Sequence, residues 1–219
     1  METFWQKPPR WLVLLFGGAM LVFVASMWTW WEGRRFASRP LERAEAQIVA
    51  QALQTWQTLA PEVDGWRDLR TLLAARKVRA MDKASFGRKA ERITLGYTDE
   101  WGRILLNPNI CFSAYSTLGP RVCQGVQKSD LVRTMTTLHH EYHHLIRRAV
   151  ESEAYAAEWN FVRICLERSR ERDDPALTAA LAEWEGEMQE RIRLYVGNTR
   201  FERLKENLNR SAPKADQPS

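Results

Sequence analysis

The stretch HHEYHH, residues 139–144, contains all four histidines of this 219-residue chain. Within it, His140, Glu141 and His144 form an H-E-x-x-H pattern. Residues four apart on a helix lie on one face, so both imidazoles can reach the same metal ion. Zinc accepts neutral imidazole nitrogens, and two of them leave room for a third ligand and a water. The pattern therefore predicts a zinc site.

Glu141 directly follows the first of these histidines and lies beside the predicted metal-binding face. A carboxylate in that position can take a proton from a zinc-activated water that attacks a carbonyl, and can pass it to the leaving amine. The sequence thus indicates peptide-bond hydrolysis with Glu141 as general base. Two alternatives stay open: a non-catalytic, zinc-stabilised membrane-anchored interaction protein, and a helical scaffold that binds no metal.

His139 and His143 form a second pair with the same spacing. No glutamate directly follows the first of them, and their face is turned about 100° from that of the first pair. We interpret them as residues that flank the metal site or form the wall of its cleft.

Several predicted elements position the motif. Ser129 as N-cap and an apolar stripe through Leu138 and Leu145 predict the helix that carries it. The runs RITLGYT and RILLN flank DEWG and predict a β-hairpin over residues 92–107. Further helices are predicted over residues 41–59, about 63–73, 151–170 and about 174–197, and a basic loop over about 76–89. The fold class is mainly α (α+β), with one small β element.

The segment HEYHH on a helix, preceded by a β-hairpin and followed by ESEAYAAE on the next helix, resembles the zincin metallopeptidases, particularly their gluzincin-type branch. The resemblance covers residues 92–165. It implies a Zn²⁺ cofactor, a peptide or protein substrate, and a third zinc ligand that is a glutamate on the helix after the motif. It also implies a strand edge beside the cleft, formed by RITLGYT or RILLN, to which a peptide adds as a further strand.

Three glutamates are candidates for that third ligand: Glu151, Glu153 and Glu158. In one unbroken helix Glu151 would share the histidine face but lie about 10 Å beyond His144. The chain must therefore bend between about 147 and 152, although no glycine or proline is present there. We favour Glu153, which borders the small apolar face of the second helix, and keep Glu151 as the alternative. A tetrahedral intermediate needs a further donor, for which the candidates are Tyr155, Tyr115 and His143.

Residues 11–31, WLVLLFGGAMLVFVASMWTWW, contain no charge and are long enough to cross a bilayer as a helix. They predict a single-pass anchor behind a flank of residues 1–10, and a cleaved signal peptide is the alternative. The zincin-like domain is predicted over residues 32–210, followed by a disordered tail, 211–219.

Two observations disagree about the side of the membrane on which the domain lies. Arginines after the anchor favour the cytoplasm. A predicted disulfide between Cys111 and Cys123 favours an oxidising compartment, and we expect an extracytoplasmic domain. The net charge of +5 is scattered rather than concentrated near aromatic residues, so nucleic-acid binding is not expected.

Overall fold

The structure is a computed structural model and describes residues 18–26, 37–82, 95–114 and 126–211. Most of the predicted anchor, the flank 1–10 and the tail beyond Ser211 lie outside these ranges. Residues 18–26 of the anchor are helical and expose apolar side chains such as Leu21 and Phe23. None of the helices in the described ranges combines the length and the apolarity needed to cross a membrane.

From Ser38 onward the described chain is mainly helical, with a small mixed sheet. The elements in chain order are β1 (Ser38–Arg39), α1 (Arg43–Leu59), α2 (Trp66–Ala74), β2 (Val78–Met81), β3 (Gly96–Thr98), β4 (Ile104–Leu106), α3 (Pro108–Cys111), α4 (Lys128–Arg147), α5 (Glu151–Glu171), α6 (Pro175–Val196) and α7 (Asn198–Ser211). The predicted helices are present, within a few residues of their expected ends. Helix α7 had not been predicted.

The sheet has the strand order β1-β2-β4-β3, so β3 is at one edge of the described sheet. Strands β3 and β4 pair antiparallel and form the predicted hairpin. Its turn depends on Asp99, whose Oδ1 accepts hydrogen bonds from the backbone N–H groups of Trp101 and Arg103. Gly102 takes a positive φ of 68° in this turn, a conformation that glycine adopts without steric cost.

Strand β2 corrects the prediction of a basic loop over residues 76–89. Val78, Ala80 and Met81 are buried, and the strand pairs parallel with β4. The one basic residue within the strand, Arg79, hydrogen-bonds to the side chain and backbone of Ser38 in β1. The surrounding basic residues obscured a short apolar strand, which its partners stabilise more than its own sequence does.

Helix α4 lies at the centre of the fold and packs against α1, α5, α6 and the strand β3. It begins at Lys128, one residue before the expected N-cap Ser129, with Asp130 in the first turn. Its apolar face packs against α1 through Trp56 and against α5 through Phe161. His139 belongs to this core, because its ring stacks on that of Phe161 with centroids 4.3 Å apart.

The packing of α1 against α4 gives a test of this arrangement. Leu53 is fully buried on α1, so Leu53→Ala should lower the free energy of unfolding by about 2–5 kcal/mol, because it leaves a cavity in the core. Gln54→Ala, at the exposed position that follows on the same helix, should change it by less than about 0.5 kcal/mol. Urea unfolding followed by tryptophan fluorescence would measure both, and equal effects would contradict the packing described here.

Candidate metal centre

The two imidazoles of the motif converge on one point. On successive turns of α4, the Nε2 atoms of His140 and His144 lie 3.0 Å apart. The Nδ1 of His140 bonds to Glu158 Oε2 at 3.0 Å, and that of His144 to the backbone oxygen of Ala149 at 2.9 Å. A carbonyl oxygen can only accept, so the Nδ1 of His144 donates. Both Nδ1 atoms are thus occupied by oxygen partners, so in the neutral form of each ring the Nε2 lone pair can bind a metal.

Glu151 supplies the third donor. Its Oε2 lies 3.3 Å from the Nε2 of His140, and its Oε1 lies 3.5 Å from the Nε2 of His144. The three ligand atoms lie within 4.8 Å of one another. Tetrahedral zinc with metal–ligand bonds of about 2.0–2.1 Å has ligand–ligand edges of about 3.3 Å. The shortest distances between these side chains, 3.0–3.5 Å, are close to that edge length, so the group can hold a metal ion.

A turn without glycine or proline brings Glu151 to the histidines. Helix α4 ends at Arg147, the next residue, Arg148, takes a left-handed conformation with φ 52°, and α5 begins at Glu151. The backbone N–H of Ala149 bonds back to the carbonyl of His143 at 3.1 Å and closes the end of α4. The bend expected between 147 and 152 is therefore confirmed, and it reverses the chain within three residues.

The same turn directs Glu153 elsewhere. Its Oε2 accepts a hydrogen bond from the backbone N–H of Val150 at 3.2 Å, at the N-terminus of α5. Near the start of a helix a carboxylate satisfies an otherwise unpaired N–H and interacts favourably with the helix dipole. The structure thus brings Glu151, the alternative, and not the favoured Glu153, to the two histidines.

The charges in this group reinforce one another. Hydrogen bonds with His140 and His144 lower the pKa of the Glu151 carboxyl to about 2. Burial by itself lowers the pKa of His140, but its hydrogen bonds with Glu151 and Glu158 outweigh burial and raise that pKa to about 10. Glu151 is thus an anionic ligand at neutral pH. A metal that binds here displaces a proton from His140, so metal binding is coupled to proton release.

Glu141 lies beside the three donors and is almost completely buried. Burial raises the pKa of its carboxyl, although the nearby His140 and the hydrogen bond from Thr98 oppose the shift. The Thr98 hydroxyl donates to Glu141 Oε2 at 2.8 Å and fixes the orientation of the carboxylate. A carboxylate held in this way is suited to accept a proton near neutral pH.

Strand β3 can approach Glu141 this closely because of a glycine. A Cβ atom at Gly96 would lie 2.7 Å from Thr137 Cγ2 and 2.8 Å from both Cγ and Oε1 of Glu141. Any other residue there would push the strand away from α4 or displace the carboxylate. The edge of the sheet and the proposed base are therefore fitted to each other.

A cavity of about 510 Å³ opens onto this cluster, a size typical of sites for small ligands. Ten described residues line it: Leu95, Gly96, Thr137, His140, Glu141, Glu151, Tyr155, Arg191, Leu194 and Tyr195. Two of the donors and the buried glutamate thus share a cavity with an apolar and aromatic wall.

The other residues predicted for the site lie in different places. The Tyr155 ring lies 4.8 Å from that of His140 at the cavity wall, and burial raises the pKa of its phenol, so it stays a neutral donor. His143 lines a separate cavity of about 230 Å³ together with His139, away from the metal cluster. Tyr115 lies outside the described residues.

The predicted disulfide involves one described cysteine. Cys111 is a free, buried thiol whose Sγ lies 3.7 Å from the backbone oxygen of Leu95 and 3.8 Å from Thr137 Oγ1. Burial raises the pKa of this thiol to about 12, so it is unreactive at neutral pH. Cys123 lies outside the described residues.

Sequence reasoning missed three contributors to the site. The sequence suggested Glu158 only as a metal ligand, whereas its carboxylate contacts the Nδ1 of His140. Its position seven residues after Glu151, on the same face of α5, is the signal that could have indicated this role. Thr98 and Gly96 carry no such signal, because their roles arise from the packing of the hairpin against α4.

Comparisons with known proteins add no family to this description. The chain matches no protein-family model, and searches of curated proteins and of solved structures return no significant match. A functional assignment therefore depends on the geometry of the donors, the buried glutamate and the cavity.

The identity of the third ligand can be tested with a matched pair of variants. Glu151→Gln replaces an anionic ligand by a neutral amide and should weaken zinc binding by about 100-fold or more. Loss of a residue that only supports a ligand costs about 10- to 100-fold, so the loss of a ligand itself should cost more. Glu153→Gln should leave zinc affinity unchanged, because this side chain contacts the Val150 N–H instead. Competition with a chromogenic zinc chelator would measure both. The opposite order would return the ligand role to Glu153.

The support of His140 by Glu158 makes a separate prediction. Glu158→Gln keeps the side-chain shape but removes the negative charge that faces the Nδ1 of His140, so zinc affinity should fall by about 10- to 100-fold. The zinc-to-protein ratio should stay near one when zinc is saturating. An unchanged affinity in the same chelator competition would show that Glu158 has only a packing role.

Proposed function

We propose that this protein is a zinc-dependent metallopeptidase of the HExxH type, with His140, His144 and Glu151 as zinc ligands. The observation that carries the proposal is the convergence of three donors on one point beside a buried glutamate, at the wall of a cavity. A structural zinc site has four protein ligands and no access for substrate. Only three donors converge here among the described residues, and two of them line a cavity, which favours a catalytic site over a structural one.

His140, His144 and Glu151 would hold the zinc ion, which would supply Lewis-acid polarisation of the attacking water and the scissile carbonyl. Glu141 accepts the proton of that water. The Thr98 hydroxyl holds Glu141 Oε2, which leaves Oε1 for this transfer. Burial of Glu141 makes its carboxylate more basic than one in water, so the proton is held until the amine leaves and takes it. Tyr155 is positioned to donate a hydrogen bond to the oxyanion, because its neutral phenol borders the cavity beside His140.

The substrate in this proposal is an extended peptide that runs along β3. The described sheet ends at this strand, and Gly96 and Thr98 place it against Glu141. A peptide that pairs with an edge strand presents its backbone carbonyls at regular spacing, and one of them can lie over the catalytic group. We include a gluzincin-type zincin fold in this proposal. The resemblance of HEYHH and ESEAYAAE to that group implies a strand edge beside the motif helix, and β3 lies in that position.

We also propose that residues 11–31 anchor the protein in a membrane as a single pass, with the catalytic domain on the extracytoplasmic side. The proposal rests on the uncharged, tryptophan-flanked run of 21 residues, WLVLLFGGAMLVFVASMWTWW. The exposed apolar side chains within residues 18–26 agree with it, because they do not pack against the described core. No role in nucleic-acid binding is proposed.

The mechanism predicts separate effects on metal and on turnover. Glu141→Gln in the full-length chain should retain about one zinc per chain yet lower peptide hydrolysis by about 10²- to 10⁴-fold, since it removes the general base. Glu153→Gln serves as control, because its carboxylate binds only the N-terminus of α5. Cleavage of a mixture of quenched fluorescent peptides would measure turnover, and metal analysis would measure zinc.

Two outcomes would contradict the proposal. Wild-type turnover in Glu141→Gln would remove the glutamate from the mechanism. Absence of hydrolysis in every variant, combined with unfolding of His140→Ala, would instead favour the non-catalytic, zinc-stabilised interaction protein, because structural zinc contributes directly to folding.

A further inference from the structure

Arg191 on α6 is the only lysine or arginine among the described residues that line the metal-site cavity. Its guanidinium lies over the ring of Trp184, 5.3 Å from the centroid. A cation–π contact of this kind uses the face of the guanidinium and leaves the N–H groups at its edge available for acceptors. The side chain is therefore held in place without being neutralised.

No acceptor within the described part of the chain satisfies this group. The Nη1 of Arg191 is shielded from solvent and has no hydrogen-bond partner there, and no described carboxylate forms an ion pair with the side chain. Two other arginines near α6 do have such partners: Arg193 pairs with Glu190, and Arg133 pairs with Glu187. A shielded cationic donor without an acceptor is costly, and a bound anion would relieve that cost.

The groups around Arg191 indicate which kind of anion it would bind. Arg191 acts on the phenol of Tyr155 on the packed helix α5: burial and the carboxylates of Glu151 and Glu158 raise the pKa of that phenol, and Arg191 acts to lower it. An arginine fork binds a carboxylate through two parallel hydrogen bonds. Leu194 and Tyr195 continue the same wall of the cavity and offer an apolar surface beside the cation.

We propose that Arg191 binds the free C-terminal carboxylate of the substrate, so that the enzyme cleaves peptides close to their C-terminus. The inference rests on the proposed function, since it places the scissile bond at the metal cluster and the carboxylate at Arg191, which lines the same cavity. A cavity of about 510 Å³ holds a short peptide segment and not a folded chain. The residue between the two anchoring points carries an apolar side chain that packs on Leu194 and Tyr195.

Binding of small probes tests the inference without requiring turnover. The full-length chain in detergent micelles is titrated with three probes. The first is benzyloxycarbonyl-Gly-Leu and the second is its C-terminal amide. The third is the C-terminal amide of benzyloxycarbonyl-Gly-Glu, which keeps only the side-chain carboxylate. Isothermal titration calorimetry is performed on metal-free and zinc-loaded protein. The free acid should bind about 10- to 100-fold more tightly than the Leu amide in both states, as expected for a charge-assisted pair.

Three variants identify the group responsible. Arg191→Met should abolish the preference for the acid, and Arg191→Lys should retain part of it, because a lysine supplies the charge but not the fork. Arg193→Met removes the same charge two residues away and should keep the full preference, since Arg193 pairs with Glu190 instead. Circular dichroism establishes that each variant is folded.

Each contrary result overturns the inference. A preference that appears only with zinc and persists in Arg191→Met would mean that the carboxylate binds the metal. Equal binding of the glutamate probe would assign Arg191 to an acidic side chain and not to a C-terminus. Equal binding of acid and amide by the wild type, or no binding of any probe, would remove the carboxylate site. None of these results depends on hydrolysis, so the test of Glu141 can fail while this one succeeds, and the reverse.

Discussion

The chain reversal between α4 and α5 is the constraint on which the rest of the site depends. A continuous helix would carry Glu151 far from His144, whereas a left-handed residue at Arg148 returns the chain within three positions. The reversal is tied to the site itself, because the carbonyl of Ala149 in the turn accepts the Nδ1–H of His144. Residues 148–150 thus end α4, fix the orientation of the His144 ring and bring Glu151 to the two histidines.

The two faces of α4 explain why four histidines occur together without forming two metal sites. His140 and His144 point towards the carboxylates of α5, and His140 also lines the cavity. His139 points into the core, where it stacks on Phe161 and contacts Trp56 at a tilted angle, and desolvation holds its pKa well below the usual range. A neutral ring serves as a packing residue there, whereas the other face depends on charge.

Buried polar groups at the site are satisfied largely through elements that are distant in sequence. Thr98 in the hairpin holds Glu141, and Glu158 in the middle of α5 holds His140. Such groups are costly when unpaired, so the positions of β3 and α5 relative to α4 are as important as the motif. Gly96 shows the same dependence sterically, because the hairpin reaches Glu141 only where no Cβ intervenes.

The sequence alone determined the local part of this protein. The spacing of His140, Glu141 and His144 on an apolar-striped helix, the hairpin around Gly102, and the need for a bend after Arg147 follow from helical period, turn chemistry and rise per residue. The tertiary structure decided which glutamate completes the cluster: Glu151 and Glu153 differ by only two positions, and the dihedral angles of one turn bring Glu151 to the two histidines and Glu153 to a helix N-terminus. It also revealed β2, the contact of Glu158 with His140, and the Nη1 of Arg191 without a hydrogen-bond partner in the described part of the chain, because these depend on how separate elements pack together.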